Sequence, residues 1–340
     1  MKILLVSPQA VPTPPPGYGG IEWIVYHLAY TLRERGHQVA VSCHPQSNLP
    51  SGVEKISPKP DVPGVNAEDS SIKGIADRIR KGDWDIIHDH SHFKRTFVVV
   101  REDEEKYKHM ITYHNLGGTF VPAFYPCATA VSVALAKNYE EEYGFPCKGV
   151  LNALDVSQFP FSKDKGDRFL YVGRPWKEKG ILEAINFCKE MNVPIDVVAG
   201  RIPGDTPGVA VEAARMCRAP MWKYWGTVSH EHKLELYKYA KALLFPVQYL
   251  EPFGLNVIEA LACGTPVIAS NVGPMSEIIK HGETGFLAQT PREFKEFMGL
   301  VHEIDPEACR ADAEKRWSRQ RMTDDYFKLY QGIVERGEKW

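Results

Sequence analysis

Apolar segments of strand length alternate with segments of helical periodicity along almost the whole chain. Lys2 to Ser7 is an apolar run that predicts a buried strand, and the apolar positions from Ile21 to Leu32 then fall on one face of a helix. Strands that alternate with helices over short connections predict a parallel sheet with helices on both faces. Further strands of this first series are predicted at Gln38 to Cys43, Trp84 to His88, Met110 to His114 and Ala128 to Val133.

The same alternation starts again after a polar stretch, which we interpret as a linker at residues 153–167. We therefore predict two doubly wound, Rossmann-like domains, at residues 1–152 and 168–316, with ligands at the carboxyl ends of their strands. The second series comprises predicted strands at Phe169 to Gly173, Ile195 to Ala199, Ala242 to Phe245 and Pro266 to Ser270, and helices at Gly180 to Met191, Gly254 to Ala262, Glu231 to Tyr239, Met275 to Lys280 and Arg292 to Val301.

Length and composition narrow the function classes. A chain of 340 residues suggests about two domains, and 44% hydrophobic with 25% charged residues is ordinary for a globular protein. The chain has 41 Lys and Arg residues and 43 Asp and Glu residues, so it lacks the excess of positive charge that is typical of a nucleic-acid-binding protein. Its apolar runs are too short for a membrane span, and its start lacks the length and cleavage site of a signal peptide.

The cysteines indicate a reducing environment. There are seven of them, an odd number, and no two have Cys-x-x-Cys spacing. A disulfide framework or a zinc site is therefore not expected, and the protein is expected in the cytoplasm.

The segment from Glu251 to Ile268 carries the sharpest chemical signal. Pro252 suits a first helical position and Glu251 a capping position, so the amides of Phe253, Gly254 and Leu255 are expected to point out of a helix start. Such amides attract anions and polar hydroxyls. Glu259 lies about two turns further along on a similar side of the helix. Two carboxylates so placed can bind hydroxyl groups at the two ends of an extended ligand. Taken alone, either glutamate is equally well explained as a helix cap or as a solvated surface residue.

Two cations follow the first strand of the second series, in the segment from Gly173 to Gly180. Arg174 offers a planar fork of donors and Lys179 a point charge, so together they can neutralise a diphosphate from two sides. The alternative is a solvated basic loop, and Lys177 fits that description better.

Polar groups also follow strands in the first half. Gly19 and Gly20 open a helix after a proline run and can form a backbone anion nest, although the Gly-x-Gly-x-x-Gly fingerprint is absent. His114 ends one predicted strand and His90 follows another. His92, Lys94 and Arg95 can join His90, or else are surface residues.

A metal site is not favoured by this sequence. Asp83 and Asp85 have Asp-x-Asp spacing but precede a strand instead of ending one, which directs them away from the expected cleft. His88, His90 and His92 alternate, yet an irregular strand end explains them better than a metal does.

These motifs together resemble the retaining GT-B glycosyltransferases of glycosyltransferase family four, over essentially the whole chain. The Glu251 to Ile268 segment resembles the donor site of that family, and the Gly173 to Gly180 segment matches its Gly-Arg-x-x-x-x-Lys-Gly motif. The resemblance implies a GT-B fold, in which residues 317–340 form C-terminal helices that cross back to the first, acceptor-side domain. Residues 168–316 would then hold the nucleotide-sugar donor.

The resemblance also assigns roles to single residues. It implies that Glu251 and His114 bind the donor sugar and that Glu259 binds the ribose. It implies that Arg174 and Lys179 bind the diphosphate. Further donor contacts are implied for Gly19, Gly20, Val228, Phe253, Gly254 and Leu255, and an acceptor-side position for His90. Asn256 departs from the small apolar residue or proline usual at its position, which leaves the identity of the sugar open.

The implied function is a metal-independent, retaining transfer of a hexosyl group from a nucleotide-diphosphate sugar to a glycan, lipid or small-molecule hydroxyl. UDP is expected as the nucleotide, with GDP and ADP as alternatives, and the donor is a co-substrate, so that no cofactor is expected. Peripheral contact with the inner face of a membrane and the oligomeric state stay open. Two alternatives remain: a nucleotide-sugar epimerase or hydrolase of the same fold, and a non-catalytic sugar-nucleotide-binding module.

Overall fold

A computed structural model describes residues 1–17, 19–57, 75–94, 96–103, 105–116, 127–200 and 207–340. The chain divides into two compact units. Unit 1 contains residues 1–154 together with 319–340, and unit 2 contains residues 155–318. The residues expected to link two domains, 153–167, therefore lie almost wholly within unit 2.

Unit 1 is built on a parallel sheet of seven strands in the order β3-β2-β1-β4-β5-β6-β7. The apolar runs form the central strands because both faces of a parallel sheet are covered by helices. The strands are β1 (Lys2–Val6), β2 (Gln38–Ser42), β3 (Glu54–Ile56), β4 (Ile86–Asp89), β5 (His109–Tyr113), β6 (Ala128–Ala130) and β7 (Cys147–Gly149).

Unit 2 is built on a second parallel sheet, with six strands in the order β10-β9-β8-β11-β12-β13. In both sheets the order reverses once, between β1 and β4 and between β8 and β11. The strands are β8 (Phe169–Val172), β9 (Ile195–Val198), β10 (Trp222–Gly226), β11 (Leu243–Phe245), β12 (Val267–Ser270) and β13 (Gly285–Ala288).

Helices connect most of these strands, as the periodicity predicts. In unit 1 they are α1 (Gly20–Glu34), α2 (Thr96–Val100), α3 (Val133–Tyr143) and the C-terminal α11 (Arg319–Arg336), and residues 75–81 are also helical. In unit 2 they are α4 (Ile181–Glu190), α5 (Pro207–Met216), α6 (His230–Tyr239), α7 (Leu255–Ala262), α8 (Met275–Ile278), α9 (Pro291–Leu300) and α10 (Pro306–Arg316). Among the described residues, no helix is both long enough and apolar enough to cross a membrane.

Two kinds of element differ from the sequence prediction. The strand expected at Ala128 to Val133 ends at Ala130, because the Ser132 hydroxyl accepts a hydrogen bond from the Leu135 amide and starts α3 at Val133. The second kind comprises strands that the apolar pattern does not reveal. The edge strand β10 alternates between half-buried and exposed residues, and β3 and β7 have only three residues each.

The last helix completes the core of unit 1. Met322, Tyr326 and Tyr330 of α11 are fully buried, and the Arg319 guanidinium donates a 2.9 Å hydrogen bond to the Thr31 hydroxyl of α1. The Arg321 guanidinium donates to the backbone carbonyls of residues 151 and 152. Residues from the end of the chain therefore fold as part of the unit that contains its beginning.

Gly180 is the residue of the Gly173–Gly180 segment with the strongest steric requirement. Its φ is +75°, and a Cβ atom there would lie 2.0 Å from the Pro246 carbonyl oxygen, at the end of β11. The absence of a side chain thus lets the loop after β8 pack directly against the loop after β11.

We predict that Gly180→Ala destabilises the protein much more than Gly144→Ala. Gly144 has almost the same φ, +73°, but no atom within 4 Å of a Cβ atom. The control should therefore lose only about 1 kcal/mol from the left-handed backbone, and Gly180→Ala about 1–3 kcal/mol more from the clash. Urea unfolding of both variants measures the difference, and equal losses would contradict the close approach at Gly180.

Candidate functional site

The loops after β8 and β11 meet at the point where the strand order of unit 2 reverses. In open parallel sheets such a reversal opens a crevice, because the chain beyond the two loops continues to opposite faces of the sheet. The Gln248 amide donates a 2.8 Å hydrogen bond to the Glu178 carbonyl and joins the two loops directly. The structure thereby brings together two segments that sequence analysis selected separately.

Lys179 and Glu251 form the centre of this junction. The Lys179 ammonium lies 2.5 Å from Oε2 of Glu251, and both side chains are largely buried, with exposures of 16% and 11%. The Tyr249 hydroxyl donates to the same oxygen at 2.5 Å, and the Lys179 ammonium lies 5.1 Å from the centre of the Tyr249 ring. Tyr249 is a site residue that the sequence analysis missed, because a tyrosine in a loop gives no motif.

Arg174 lies on the same loop as Lys179 but is not part of that ion pair. Its guanidinium carbon lies 3.6 Å from the centre of the Trp176 ring, which fits a stacked cation–π contact. The buried Tyr171 hydroxyl lies 3.3 Å from the carbonyl oxygens of both Arg174 and Lys179, to which it can donate. Tyr171 therefore fixes the curvature of the loop that carries both cations.

The start of α7 differs in detail from the sequence prediction. Pro252 does not begin the helix, and Glu251 does not cap it. The helix begins at Leu255, after Gly254 turns the chain with a φ of 98°. Phe253 is buried at 2% exposure, where its ring meets the edge of Trp317 at 6.0 Å.

Asn256 connects the same helix start to β8. Its side-chain amide donates a 2.8 Å hydrogen bond to the carbonyl oxygen of Val172, the last residue of that strand. The residue that departs from the usual sequence pattern thus has a structural partner at the junction of the two loops.

Glu259 lies further along α7 and pairs with a lysine of α6. The Lys233 ammonium lies 3.1 Å and 3.0 Å from the two carboxylate oxygens, and both side chains are mostly buried. Val228, for which a donor contact is implied, lies half-buried between β10 and α6, where the Ser229 hydroxyl caps the helix. Lys233 is a second residue that the sequence analysis missed, because its partner is distant in sequence.

In unit 1, the predicted Gly19–Gly20 nest lies beside a carboxylate. Gly19 precedes α1 with a φ of 155°, and a Cβ atom there would lie 2.8 Å from Oε2 of Glu22 and 2.7 Å from a ring carbon of Pro15. Glu22 is buried in the first turn of α1, where a negative charge is favourable. The helix start is therefore closely packed and already has an acidic side chain next to it.

His114 and His90, which follow β5 and β4, are in direct contact. Nε2 of His114 lies 2.9 Å from Nδ1 of His90, and Nε2 of His90 lies 3.2 Å from Nδ1 of His88. His88 and His90 are completely buried, whereas His114 is partly exposed. The three imidazoles thus form a chain that leads from the surface at the strand ends into the core of unit 1.

The other polar residues of this region have separate partners. His92 lies 3.4 Å from the Asn115 amide nitrogen, and the buried Lys94 ammonium donates to the Ser91 carbonyl oxygen. Arg95 lies outside the described residues.

The Asp85 carboxylate accepts a 2.7 Å hydrogen bond from the Lys2 amide. Among the described residues, no group of three or more His, Cys, Asp or Glu side chains is arranged to hold a metal ion.

Burial lowers the pKa values of all the histidines in this region. The pKa values of His88, His90 and His114 fall well below 6.5, chiefly because burial penalises the charged ring. For His88 and His114, neighbouring His90 lowers the pKa further, and Lys94 lowers it for all three. Burial also lowers the pKa of His109 to about 4. These rings are therefore neutral at pH 7.

Comparison with known families identifies this architecture. Residues 155–304 match the profile of "Glycosyl transferases group 1", and residues 18–156 match that of "Glycosyltransferase Family 4". The two matches follow one another and together span most of both units. The chain belongs to this family of glycosyltransferases.

Two curated relatives are similar in sequence. Glycogen synthase of Mycobacterium tuberculosis is 30% identical over 193 residues, which are 52% of this chain and 44% of that protein. Phosphatidyl-myo-inositol mannosyltransferase of Mycolicibacterium smegmatis is 24% identical over 352 residues, which are 94% of this chain and 89% of that protein. The chain thus spans less than half of the first relative and most of the second.

Solved structures support the GT-B fold predicted from the sequence. AviGT4, a glycosyltransferase involved in avilamycin A biosynthesis, superposes with a TM-score of 0.77 at 24% identity and covers 100% of this chain and 99% of its own. Anabaena HepE in complex with UDP and glucose has a TM-score of 0.72 at 17% identity and covers 98% and 100% of the two chains. The two parallel sheets of this glycosyltransferase are the sheets of that fold.

We predict that acid destabilises the protein in the range where free histidine titrates. Unfolded histidines bind protons near pH 6.5, whereas folded His88, His90, His109 and His114 do not until the pH is lower, so acid favours the unfolded state. Each histidine should remove up to about 1.4 kcal/mol per pH unit below pH 6.5. Urea unfolding between pH 7.5 and pH 4.5 measures this slope.

The variant His109→Gln isolates one of these contributions. It removes a ring whose pKa is lowered to about 4, while the titration of carboxylates elsewhere is unchanged. The slope of its unfolding free energy with pH should be shallower than that of the wild type between pH 6.5 and pH 4.5. Identical slopes would show that His109 titrates normally in the folded state.

Proposed function

We propose that this protein transfers a hexosyl group from a nucleotide-diphosphate sugar to a hydroxyl acceptor, with retention of configuration and without a metal ion. Membership of the family and the fold support the reaction class. The presence of UDP and glucose in the HepE complex supports UDP as the nucleotide. A glycan or a lipid is the acceptor class, in keeping with the glycogen synthase and phosphatidylinositol mannosyltransferase relatives.

The contact between Lys179 and Glu251 is the single observation that carries this proposal. It joins one residue of the predicted diphosphate motif to one residue of the predicted sugar-binding motif, at the position in the sheet where ligands bind in doubly wound folds. A cation and a carboxylate placed side by side can serve the two adjacent parts of a nucleotide sugar. The phosphate next to the sugar faces Lys179, and the sugar hydroxyls face Glu251.

Cleavage of the bond between the anomeric carbon and the phosphate oxygen leaves a diphosphate with increasing negative charge. Arg174 and Lys179 stabilise that charge, and the Trp176 and Tyr249 rings hold the two cations through cation–π contacts. Groups fixed in place before the reaction lower the barrier because they do not have to reorganise as charge develops. The anomeric carbon meanwhile gains oxocarbenium character.

Glu251 and Glu259 bind the two ends of the donor. Each carboxylate pairs with a lysine, Glu251 with Lys179 and Glu259 with Lys233. Buried ion pairs gain little net energy, because desolvation offsets much of their attraction. A donor that gives the carboxylates hydroxyl groups and gives the lysines phosphate oxygens can therefore replace these pairs at low cost.

Retention follows when the acceptor attacks from the face that the diphosphate leaves. In this scheme a departing phosphate oxygen takes the proton of the acceptor hydroxyl, so no carboxylate forms a covalent intermediate. The nucleotide sugar is a co-substrate, and no cofactor takes part. Production of free sugar or of an epimer without an acceptor would instead identify a hydrolase or an epimerase of the same fold.

We predict that a UDP-sugar raises the melting temperature of the protein and that Glu259→Gln weakens this effect for free UDP as well. A ligand that binds only the native state stabilises it in proportion to the logarithm of its concentration. The ribose is common to donor and product, so the loss of a charge-assisted hydrogen bond should weaken UDP binding by about 10–100-fold. Thermal-shift measurements with UDP, GDP and ADP, followed by titration calorimetry, determine the nucleotide affinity of the wild type and of the variant.

Two further variants sharpen that test. Glu251→Gln should bind free UDP like the wild type and lose transfer, because its partner is the sugar. Glu235→Gln, an exposed residue of α6 that pairs with Lys238, is the control for the removal of a charge. Equal losses of UDP affinity in the Glu251 and Glu259 variants would refute the division of roles between them.

We predict that Lys179→Ala lowers kcat far more than it raises the KM for the donor. Lys179 contacts the leaving group most strongly when its charge is greatest, in the transition state. The loss of one such donor costs about 10²–10³ in rate. Steady-state kinetics measure both constants, with Lys177→Ala as the control from the same loop.

Chelation tests the metal-free part of the same mechanism. Transfer by the wild type should continue in EDTA, because Arg174 and Lys179 supply the positive charge that a metal would otherwise provide. Loss of activity in EDTA with full recovery in Mn²⁺ would refute this mechanism.

A further inference from the structure

A continuous series of hydrogen bonds leads from a backbone carbonyl in unit 1 to His114. It begins at the Ile111 carbonyl oxygen of β5 and passes through two threonines before it reaches the three histidines. We call it the histidine relay. Its members, in order, are the carbonyl of Ile111 and the side chains of Thr129, Thr112, His88, His90 and His114.

The direction of the first two bonds follows from simple chemistry. A carbonyl oxygen can only accept, so the Thr129 hydroxyl must donate its single proton to Ile111, at 2.7 Å. The Thr112 hydroxyl, 2.6 Å away, must then donate to Thr129. The Tyr326 hydroxyl is a more distant partner of Thr112, at 3.3 Å, so the Thr112 proton belongs to the shorter contact.

The proton positions in the imidazole rings follow from those of the two hydroxyls. Because Thr112 has used its proton, it accepts from Nε2 of His88 at 2.7 Å, and Nε2 of that ring is protonated. A neutral imidazole has one proton, so Nδ1 of His88 carries a lone pair. This lone pair accepts chiefly from the Tyr330 hydroxyl at 2.7 Å, and Nε2 of His90 lies against the same atom as a second, longer contact at 3.2 Å.

His90 then determines the tautomer of His114. Its proton is on Nε2, so its Nδ1 is an acceptor, and Nε2 of His114, 2.9 Å away, must donate to it. The assignment of one proton to each ring agrees with burial. His88 and His90 are completely buried without a carboxylate partner, so their rings stay neutral and keep one proton each. This arrangement places one proton between each pair of neighbouring atoms of the relay.

We propose that the histidine relay fixes His114 as the tautomer protonated at Nε2 and so makes its Nδ1 a hydrogen-bond acceptor for a hydroxyl group of the donor sugar. The part that concerns the sugar rests on the proposed function. Thr129, Thr112, His88 and His90 are then positioning residues, which act through His114 without touching a ligand.

The register of the strands brings the members of the relay together. Thr112 and Thr129 occupy paired positions in neighbouring strands, β5 and β6, and His88 pairs in register with Met110 of β5. The polar side chains of adjacent parallel strands thus meet inside a core that is otherwise apolar. A buried polar network is stable only when every member has a partner, and here each bond supplies the partner of the next.

The test is ¹⁵N NMR of the histidine rings in the full-length protein labelled with ¹⁵N-histidine. The signals of His114 are assigned by their loss in His114→Asn. We expect a protonated Nε2 and an unprotonated Nδ1 for His114 in the wild type without ligand. Protonation at Nδ1 would overturn the proposal, whatever the protein transfers.

The variant Thr129→Val tests whether the relay, and not the local surroundings of His114, determines the tautomer. Valine has nearly the shape of threonine but cannot direct the Thr112 proton, so both tautomers of His114 should be populated. Thr323→Val is the matched control, because it removes another fully buried threonine hydroxyl of unit 1, one that donates to the Arg319 carbonyl outside the relay. An unchanged His114 tautomer in Thr129→Val would overturn the relay.

Kinetics connect the relay to the sugar. Thr129→Val should lower kcat about twofold, because equal populations of the two tautomers leave about half of the molecules competent, and should leave UDP affinity unchanged. Thr323→Val should retain wild-type kcat. If His114 has the expected tautomer but the protein transfers no sugar, the relay stands and the proposed function is refuted. If kcat is unchanged in Thr129→Val, His114 does not bind the donor sugar through the relay.

Discussion

In each unit the strand order of a parallel sheet reverses once, and this reversal decides where the chain can expose chemistry. Both faces of such a sheet are covered by helices, so polar side chains can meet a ligand only at its ends. At the reversal the connections from two adjacent strands continue to opposite faces of the sheet, and a crevice opens at the strand ends. Apart from Val228, which follows β10, the candidate residues of unit 2 follow β8 and β11, the two strands that flank its reversal. In unit 1, Gly19 and His90 follow the corresponding strands, β1 and β4.

Sequence reasoning was sufficient where one residue type has one structural consequence. The apolar runs predicted the central strands, and the motif glycine at position 180 proved necessary because the Pro246 carbonyl lies where its side chain would be. The Ser132 cap converts the end of an apolar run into a helix, which periodicity alone does not reveal. Edge strand β10 was missed for a related reason: its alternating exposure lacks the continuous apolar signal of a central strand.

Pairings between distant residues could not be predicted from the sequence. Lys233 and Tyr249 belong to no motif, yet each contacts a carboxylate that does, Glu259 and Glu251 respectively. The histidine relay was likewise invisible, because the importance of Thr112 and Thr129 lies in which neighbour each hydroxyl must donate to. Motifs identify the groups that a ligand needs, whereas the residues that hold those groups in place are found through the fold.

Asn256 illustrates this difference at one position. In sequence it is a departure from the usual residue, and it leaves the identity of the sugar open. In the fold its amide donates to the Val172 carbonyl, at the carboxyl end of β8. A buried carbonyl that lacks a partner costs about 1–3 kcal/mol, so this bond stabilises the junction between the Arg174 loop and the start of α7. A proline at this position would supply no such donor, and the junction would then have to be held by other contacts. The polar residue is therefore accounted for by the architecture of the site and need not contact the sugar at all.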